Sequence, residues 1–306
     1  MILCFDIGGT AIKPAEAHDE QRIVTGARIP TPTHDFGAFI AVLQRAIETA
    51  SIRPDGLAFS VAGVVDAETG LATVANIPCL TGRRLEADLA RALGLPVVLA
   101  NDADCFALAE ATIGAGRDHA VVFGLILGTG VGGGVVVRGQ LINSGGFAGE
   151  IGHGPVAPRQ FDDLDVTLPA FVCGCGLHGC LDALCSARGM ERLHNHLHRT
   201  PDADSRAIVS AWVQGDADAC RTVSVWLAAL SGPLALVQNV LGAGIIVAGG
   251  GLASEPKLIA ALDIAVRARC LQRFVRPLVV PAQCAGEPGL IGAAILGLRT
   301  LGQSTQ

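Results

Sequence analysis

Residues 127–141 read "LGTGVGGGVVVRGQL". Within them "GTGVGG" (128–133) matches the G-x-G-x-x-G spacing of dinucleotide-binding turns, and Glu150 stands about 20 residues on, where a ribose-binding acid is expected. That fingerprint needs a helix directly after the glycines. Here "GVVVRGQL" follows, and β-branched residues favour a strand. The stretch therefore predicts strand, turn, strand and argues against a dinucleotide site. A Walker A loop is excluded as well, because Gly-Lys-Ser/Thr does not occur. The same device recurs at the start of the chain. "MILCF" is an apolar strand, "FDIGGT" (5–10) ends in a glycine turn, and a second strand is expected after it. Clustered glycines let backbone N–H groups approach an anion and form a concave nest. Two such turns, one in each of two related lobes, could hold a polyphosphate between them. A pair of ordinary β-turns is the alternative.

Outward from these turns the pattern is α/β, with strands and helices interleaved. Phe36, Phe39, Ile40, Leu43 and Ile47 share one helical face. "GLAFSVAGVV" is a buried strand, and "RRLEADLARALG" is a helix with a glycine stop. "PVVLA" is a short strand running into "NDAD", where Asn101, Asp102 or Asp104 could cap the helix "CFALAEATIG". "HAVVFGLIL" and "GVVVRGQL" flank the second glycine cluster. A helical second half follows residues 173–182, and "GAGIIVAGGG" is a further buried strand. The expected division is 1–117, joined by a closing helix at 289–306, and 118–288, with the boundary near "GAGRDH" (114–119).

The chain has 306 residues, enough for about two domains. Half of them are hydrophobic and 16% are charged, so a large core is expected. A formal charge of −6 and the lack of any Lys/Arg run argue against a nucleic-acid partner. The N-terminus has no basic region, and Asp6 breaks its apolar run, unlike a signal peptide. Residues 120–137 and 222–254 are long and uncharged, but glycines break the first, and Pro233, Gln238 and Asn239 mark the second. A membrane span is not expected, and the expected compartment is the cytoplasm. Thiols are normally reduced there. Most of the scattered cysteines 4, 79, 105, 185, 220, 270 and 284 are expected to be single buried thiols acting as small hydrophobes.

Two further features carry chemistry. Asp102 follows an apolar strand, and the carboxyl ends of strands are where ligands collect in open α/β sheets. It could act as a general base on a hydroxyl, or serve only as a helix cap. The segment "CGCGLHGCLD" (173–182) places Cys173, Cys175 and Cys180 in C-x-C-x4-C spacing, and "GEIGH" (149–153) puts His153 twenty residues before the first. One histidine and three cysteines form a four-ligand set suited to a closed, structural zinc site. His178 is a rival ligand expected to face outward. Reduced, unliganded thiols are the alternative.

Taken in order, "DIGGT", "NDADC", "LGTGVGGG", "GEIGH" and "CGCGLHGC" resemble the ROK family of sugar kinases and transcription factors, over nearly the whole chain. The resemblance implies a two-lobed actin/hexokinase-like (ribonuclease H-like) fold with its active site in the cleft between the lobes. It implies ATP with Mg2+, structural Zn2+ and, as a family expectation, a homodimer, while charge and the broken apolar stretches leave no nucleic-acid or membrane partner expected. Its activity would be transfer of phosphate from ATP to the 6-hydroxyl of N-acetylglucosamine. Glucose or N-acetylmannosamine is the alternative substrate, and a non-catalytic sugar-binding protein or a transcription factor the less favoured role. Asp6, Gly8, Gly9 and Thr10 would face phosphate and metal. Gly128, Thr129, Gly130, Val131, Gly132, Gly133 and Gly134 would hold the other side, with Gly249 and Gly250 near adenosine. Asp102 would take the hydroxyl proton. Gly63, Asn76, Asn101, Glu150 and His153 would contact sugar, and His153 would also ligate zinc. Two positions depart from the family. Ala11 stands where Lys is usual, and Lys13, two residues on, is expected to supply part of that charge. Asp182 stands where Glu is usual and would contact sugar in its place.

Overall fold

A computed structural model of the chain describes residues 1–302 apart from 67, 75, 143, 144, 201 and 202. The last part of the expected closing helix, 303–306, lies outside the described residues. Strand β1 (Ile2–Ile7) turns through the first glycines into β2 (Ala11–Ala17), which returns antiparallel with Asp6 opposite Lys13. The short β3 (Ile23–Thr25) and β4 (Ile29–Pro30) both pair with β2. Helix α1 (Phe36–Glu48) begins where the Asp35 carboxylate accepts from the Ala38 N–H, and it buries Phe39, Ile40 and Leu43. Strand β5 (Gly56–Val61), buried throughout, runs parallel to β1. A hairpin, β6 (Val64–Val65) with β7 (Ala72–Thr73), leads to α2 (Leu85–Leu93). That helix ends at Gly94 in the left-handed region, which glycine reaches without a Cβ penalty. Strand β8 (Val97–Asn101) pairs parallel with β5, and α3 (Asp102–Thr112) follows with no intervening loop.

The second glycine turn joins β9 (Val121–Leu127) to β10 (Val131–Val137). Arg138 and Gly139, with φ of 51° and 77°, connect β10 to β11 (Gln140–Leu141). Positive φ at both central residues is what a two-residue type I′ hairpin turn demands. A small hairpin, β12 (Gln160–Phe161) and β13 (Val166–Thr167), precedes the helices. These are α4 (Asp182–Cys185), α5 (Ala187–His198), α6 (Ser205–Val213) and α7 (Ala217–Leu241). Then come β14 (Ile245–Gly249), α8 (Pro256–Arg267), β15 (Val279–Pro281) and α9 (Pro288–Leu301).

The chain sorts into two compact units. One comprises Met1–Ile113, Gly134–Ala148 and Cys284–Gln306. Its sheet runs β3-β2-β1-β5-β8. Alternation along β1 assigns its two faces. Leu3, Phe5 and Ile7 join the cluster built on α1 and α2, where Phe5 stacks on Phe59 with ring centroids 5.1 Å apart. Ile2 and Cys4 face the other way, into a cluster with Cys105 of α3 and Leu290, Ala293 and Ala294 of α9. Helices α3 and α9 approach so closely that a Cβ on Gly292 would stand 1.9 Å from the Cys105 carbonyl oxygen.

The other unit comprises Gly114–Gly133 and Gly149–Gln283. Strands β9, β14 and β15 run parallel there, within the order β11-β10-β9-β14-β15. The boundary between the units falls inside β10, so the last four residues of that strand count with the first unit. Among the described residues α7 is the one helix long and apolar enough to cross a membrane. Here it packs on α5, α6 and α8 and buries Thr222, Ser231 and Gln238. Its fully buried Trp226 donates the indole N–H to the Cys185 carbonyl at 2.8 Å.

Candidate active site

In the first unit the β8–α3 junction presents the candidate base. Asn101, not Asp102 or Asp104, caps α3: its Oδ1 accepts from the N–H groups of Ala103 at 2.8 Å and Asp104 at 3.4 Å. The Asn101 amide donates to the Gly63 carbonyl at 2.8 Å, which ties these two positions together. With the cap supplied by its neighbour, Asp102 keeps an outward-facing side chain that solvent reaches. Its carboxyl is nevertheless pushed up to about 6. Desolvation by the surrounding protein is the main cause, and the negative charge of Asp6 adds to it. The Ala103 N–H, 3.0 Å from Oδ1, pulls the other way.

Asp6 itself accepts from Ser60 Oγ at 2.9 Å and from Lys13 Nζ at 3.2 Å. Lys13 also reaches Glu287 at 2.6 Å, and Arg28 meets the other oxygen of Glu287 at 2.8 Å. Burial works against the Lys13 charge, but the Glu287 and Asp6 carboxylates more than offset it and hold the ammonium above its ordinary value. The glycine turn closes with the Gly8 N–H on the Ala11 carbonyl, and Thr10 is exposed at its tip. A Cβ on Gly9 would meet the Asn76 Cβ at 3.0 Å, so Asn76 lies beside this turn. Asp6, Gly8, Gly9, Thr10, Lys13, Asn76, Gly63, Asn101 and Asp102 all belong to this unit.

In the second unit Gly128 and Thr129 of the second turn line a cavity of about 660 Å³. Ser205 and Arg206 of α6, Gln214 at its C-terminal cap and Glu255 before α8 line it as well. None of these four was foreseen: they lie far along the chain from the turn and carry no motif. Three expectations shift here. Val131 does not offer its N–H outward, because Asp182 Oδ1 accepts it at 2.8 Å. Gly133 and Gly134 sit inside β10, not in the turn. A Cβ on Gly133 would lie 2.6 Å from the Gly124 carbonyl oxygen, and one on Gly134 would lie 2.7 Å from that of Ala103, so close backbone packing accounts for both glycines. Gly249 is the buried end of β14, and Gly250, at φ 92°, turns against the Leu127 carbonyl. The chain emerges into the cavity only at Gly251 and Leu252. Gly132 stands beside Glu150, with 3.7 Å from its would-be Cβ to Oε1.

The same unit gathers the cysteines. His153, Cys173, Cys175 and Cys180 have ligand atoms all within 4.8 Å of one another. Cys173 Sγ lies 3.6 Å from His153 Nδ1, and the sulfurs of Cys175 and Cys180 are 3.7 Å apart. Ligands of a tetrahedral zinc, at about 2.0–2.3 Å from the ion, stand about 3.3–3.8 Å from each other, so the donor set suits zinc and these two pairs match its spacing, while the full group, spread over up to 4.8 Å, would have to draw in around the ion. Tight turns at Gly176 and Gly179, with φ of 89° and 77°, aim the thiols inward, and His178 stays exposed outside the group. Burial pushes the Cys173 thiol up to about 12, whereas the Leu177 N–H holds Cys175 below its ordinary value. His153 turns its other nitrogen, Nε2, toward Glu150 Oε2 at 3.9 Å.

Known proteins match this chain along its length. The sequence model of the ROK family covers residues 2–300. An N-acetylgalactosamine kinase from Shewanella sp. (strain ANA-3) is 36% identical over 95% of both chains. An N-acetyl-D-glucosamine kinase from Yersinia pseudotuberculosis is 32% identical over 96% of this chain and 98% of its own. Among solved structures, a ROK hexokinase from Thermus thermophilus superposes with a TM-score of 0.81 at 31% identity, covering 96% of each chain.

Proposed function

The chain belongs to the ROK family, and we propose that this sugar kinase moves the γ-phosphoryl group of ATP to the 6-hydroxyl of N-acetylglucosamine, releasing ADP. The observation that carries the reading is Asp102. It is a carboxyl that solvent reaches, freed from capping by Asn101, with a pKa of about 6 beside Asp6. That value leaves it mostly ionised at neutral pH yet basic enough to accept a proton. Asp102 takes the hydroxyl proton while the sugar oxygen forms its bond to the γ-phosphorus and the bond to the β-phosphate oxygen breaks. Such transfer depends mainly on positioning and charge stabilisation. The glycine turns supply backbone N–H groups, and the cavity beside Gly128 and Thr129 is of a size to take a nucleoside. Asp6 offers the hard oxygen donors that Mg2+ prefers, and the ion, when bound, would neutralise phosphate charge.

His153, Cys173, Cys175 and Cys180 would hold Zn2+ as a structural ion that fixes the segment carrying His153 and Asp182. Glu150, His153 and Asn101 would hold sugar hydroxyls. A homodimer and a cytoplasmic setting belong to the same reading. The similarity to an N-acetylgalactosamine kinase favours that epimer as the second substrate reading. An ADP-release assay with N-acetylglucosamine, N-acetylgalactosamine, N-acetylmannosamine and glucose decides among them. The highest kcat/KM is expected with N-acetylglucosamine. ADP release with none of the four would remove the kinase reading.

A further inference from the structure

The segment between Cys180 and Ala187 touches both ends of the second glycine turn. The Ala187 N–H donates to the Gly128 carbonyl at 2.8 Å, and Asp182 Oδ1 accepts from the Val131 N–H at 2.8 Å. Asp182 lies so close that a Cβ on Gly130 would come within 2.8 Å of the same oxygen. The backbone joins in. The Asp182 N–H donates to the Gly152 carbonyl at 2.9 Å, and Gly152 presses on Val131 so tightly that a Cβ there would overlap the Val131 oxygen.

The other oxygen of Asp182 faces the cysteines, with Oδ2 3.7 Å from Cys173 Sγ. Cys180, two residues before Asp182, is itself in the cluster. The rest of the segment is anchored. Leu181, Ala183, Leu184 and Cys185 are buried, Cys185 accepts from Trp226, and Ser186 caps α5 through the Gly189 N–H at 3.0 Å. Ala187 then lines the same cavity as Gly128 and Thr129. Both carboxylate oxygens of Asp182 are thus turned to the protein's own groups, one on the turn and one on the cluster.

We propose that Asp182 is a positioning residue that braces the nucleotide-binding turn against the cysteine–histidine cluster, so that metal occupancy of the cluster sets affinity for ATP. A glutamate would carry its carboxylate one methylene further from its own backbone. The aspartate is short enough to bond the Val131 N–H while its N–H stays on Gly152. This inference rests on the kinase reading, because the turn matters only if it holds nucleotide. It departs from the expectation that Asp182 contacts sugar.

The test is calorimetric binding of Mg2+ with a non-hydrolysable ATP analogue, and separately of sugar, to wild type and Asp182→Ala. Each is measured as isolated and after metal stripping by a chelator. Asp182→Ala is expected to weaken nucleotide binding about tenfold, the loss expected of one hydrogen bond to a charged acceptor, and to leave sugar affinity nearly unchanged. Stripping is expected to weaken nucleotide binding in wild type and to add little in the variant, since coupled groups are not additive. Weaker sugar binding with unchanged nucleotide binding in Asp182→Ala overturns the brace in favour of a sugar contact. Additive effects of stripping and substitution overturn the coupling. Wild type alone gives a second readout, which stands even where the variant does not fold. Amide exchange across residues 128–131 should speed up several-fold on stripping, and unchanged exchange overturns the proposal. A wild-type chain that binds no nucleotide removes the kinase reading and the brace together. Nucleotide binding that is the same in wild type and Asp182→Ala removes the brace alone.

Discussion

The acid limb of the pH profile should be set by Asp102. A general base works only when ionised. With its carboxyl at about 6, roughly nine-tenths of the enzyme is ionised at pH 7 and roughly one-tenth at pH 5, so kcat/KM should fall about tenfold between them. An aspartate at its ordinary value of 3.8 would stay almost wholly ionised at both, and the rate would hardly change. The assay is sugar-dependent ADP release at subsaturating sugar from pH 4.5 to 8, because kcat/KM reports the free enzyme. Asp102→Asn should lower kcat by about 10²–10⁴-fold and abolish the limb. The same shift has a stability consequence of definite sign. The folded carboxyl binds its proton more tightly than the unfolded one, so stability falls as pH rises from about 4 to about 6 and stays lower above that. Asp102→Asn should therefore melt higher than wild type at pH 7–8, with the advantage gone near pH 4. A wild-type profile flat to pH 5, or an asparagine variant that keeps both activity and the limb, would refute Asp102 as the base.

Other consequences follow from single contacts. Stripping metal should lower the melting temperature and open residues 173–182 to protease. Intact protein should carry one zinc per chain by elemental analysis, and Cys180→Ser should lose it; zinc in such sites contributes about 10–16 kcal/mol of folding energy in small peptides. Gly292→Ala should cost about 2–3 kcal/mol in urea unfolding, because its Cβ would meet the Cys105 carbonyl at 1.9 Å between α3 and α9; wild-type stability would contradict that contact. Lys13→Ala should raise the KM for ATP, since it leaves the Asp6 and Glu287 carboxylates facing each other without their shared cation; unchanged KM and kcat would remove Lys13 from the site.

Much of the architecture was legible because it is local. A strand ending in glycines and followed by valines has one economical continuation, and β10 takes it. The spacing of Phe36, Phe39, Ile40 and Leu43 was enough for α1. The cysteine cluster was legible because its three thiols lie within eight residues and glycines let the chain fold on itself. The cap on α3 was narrowed to three residues but not to one. Side-chain direction at a strand–helix junction decides it, and the Gly63 carbonyl holds Asn101 in place.

What sequence determined by itself were these short-range devices: the two glycine turns, the clustering of one histidine with three cysteines and a carboxylate at the carboxyl end of a strand. Each depends on neighbours a few residues away, or on motif order. Only the tertiary structure decided what surrounds them. Lys13 is matched to Glu287, 274 residues distant, and the cavity beside Gly128 is completed by α6. Asp182 spends one oxygen on Val131 and turns the other to Cys173. The Asp102 carboxyl rises to about 6 because surrounding protein partly desolvates it while solvent still reaches it, and because the Asp6 charge adds to the effect. Burial, charge and hydrogen-bond partners are sums over the folded neighbourhood, and no stretch of sequence contains that neighbourhood.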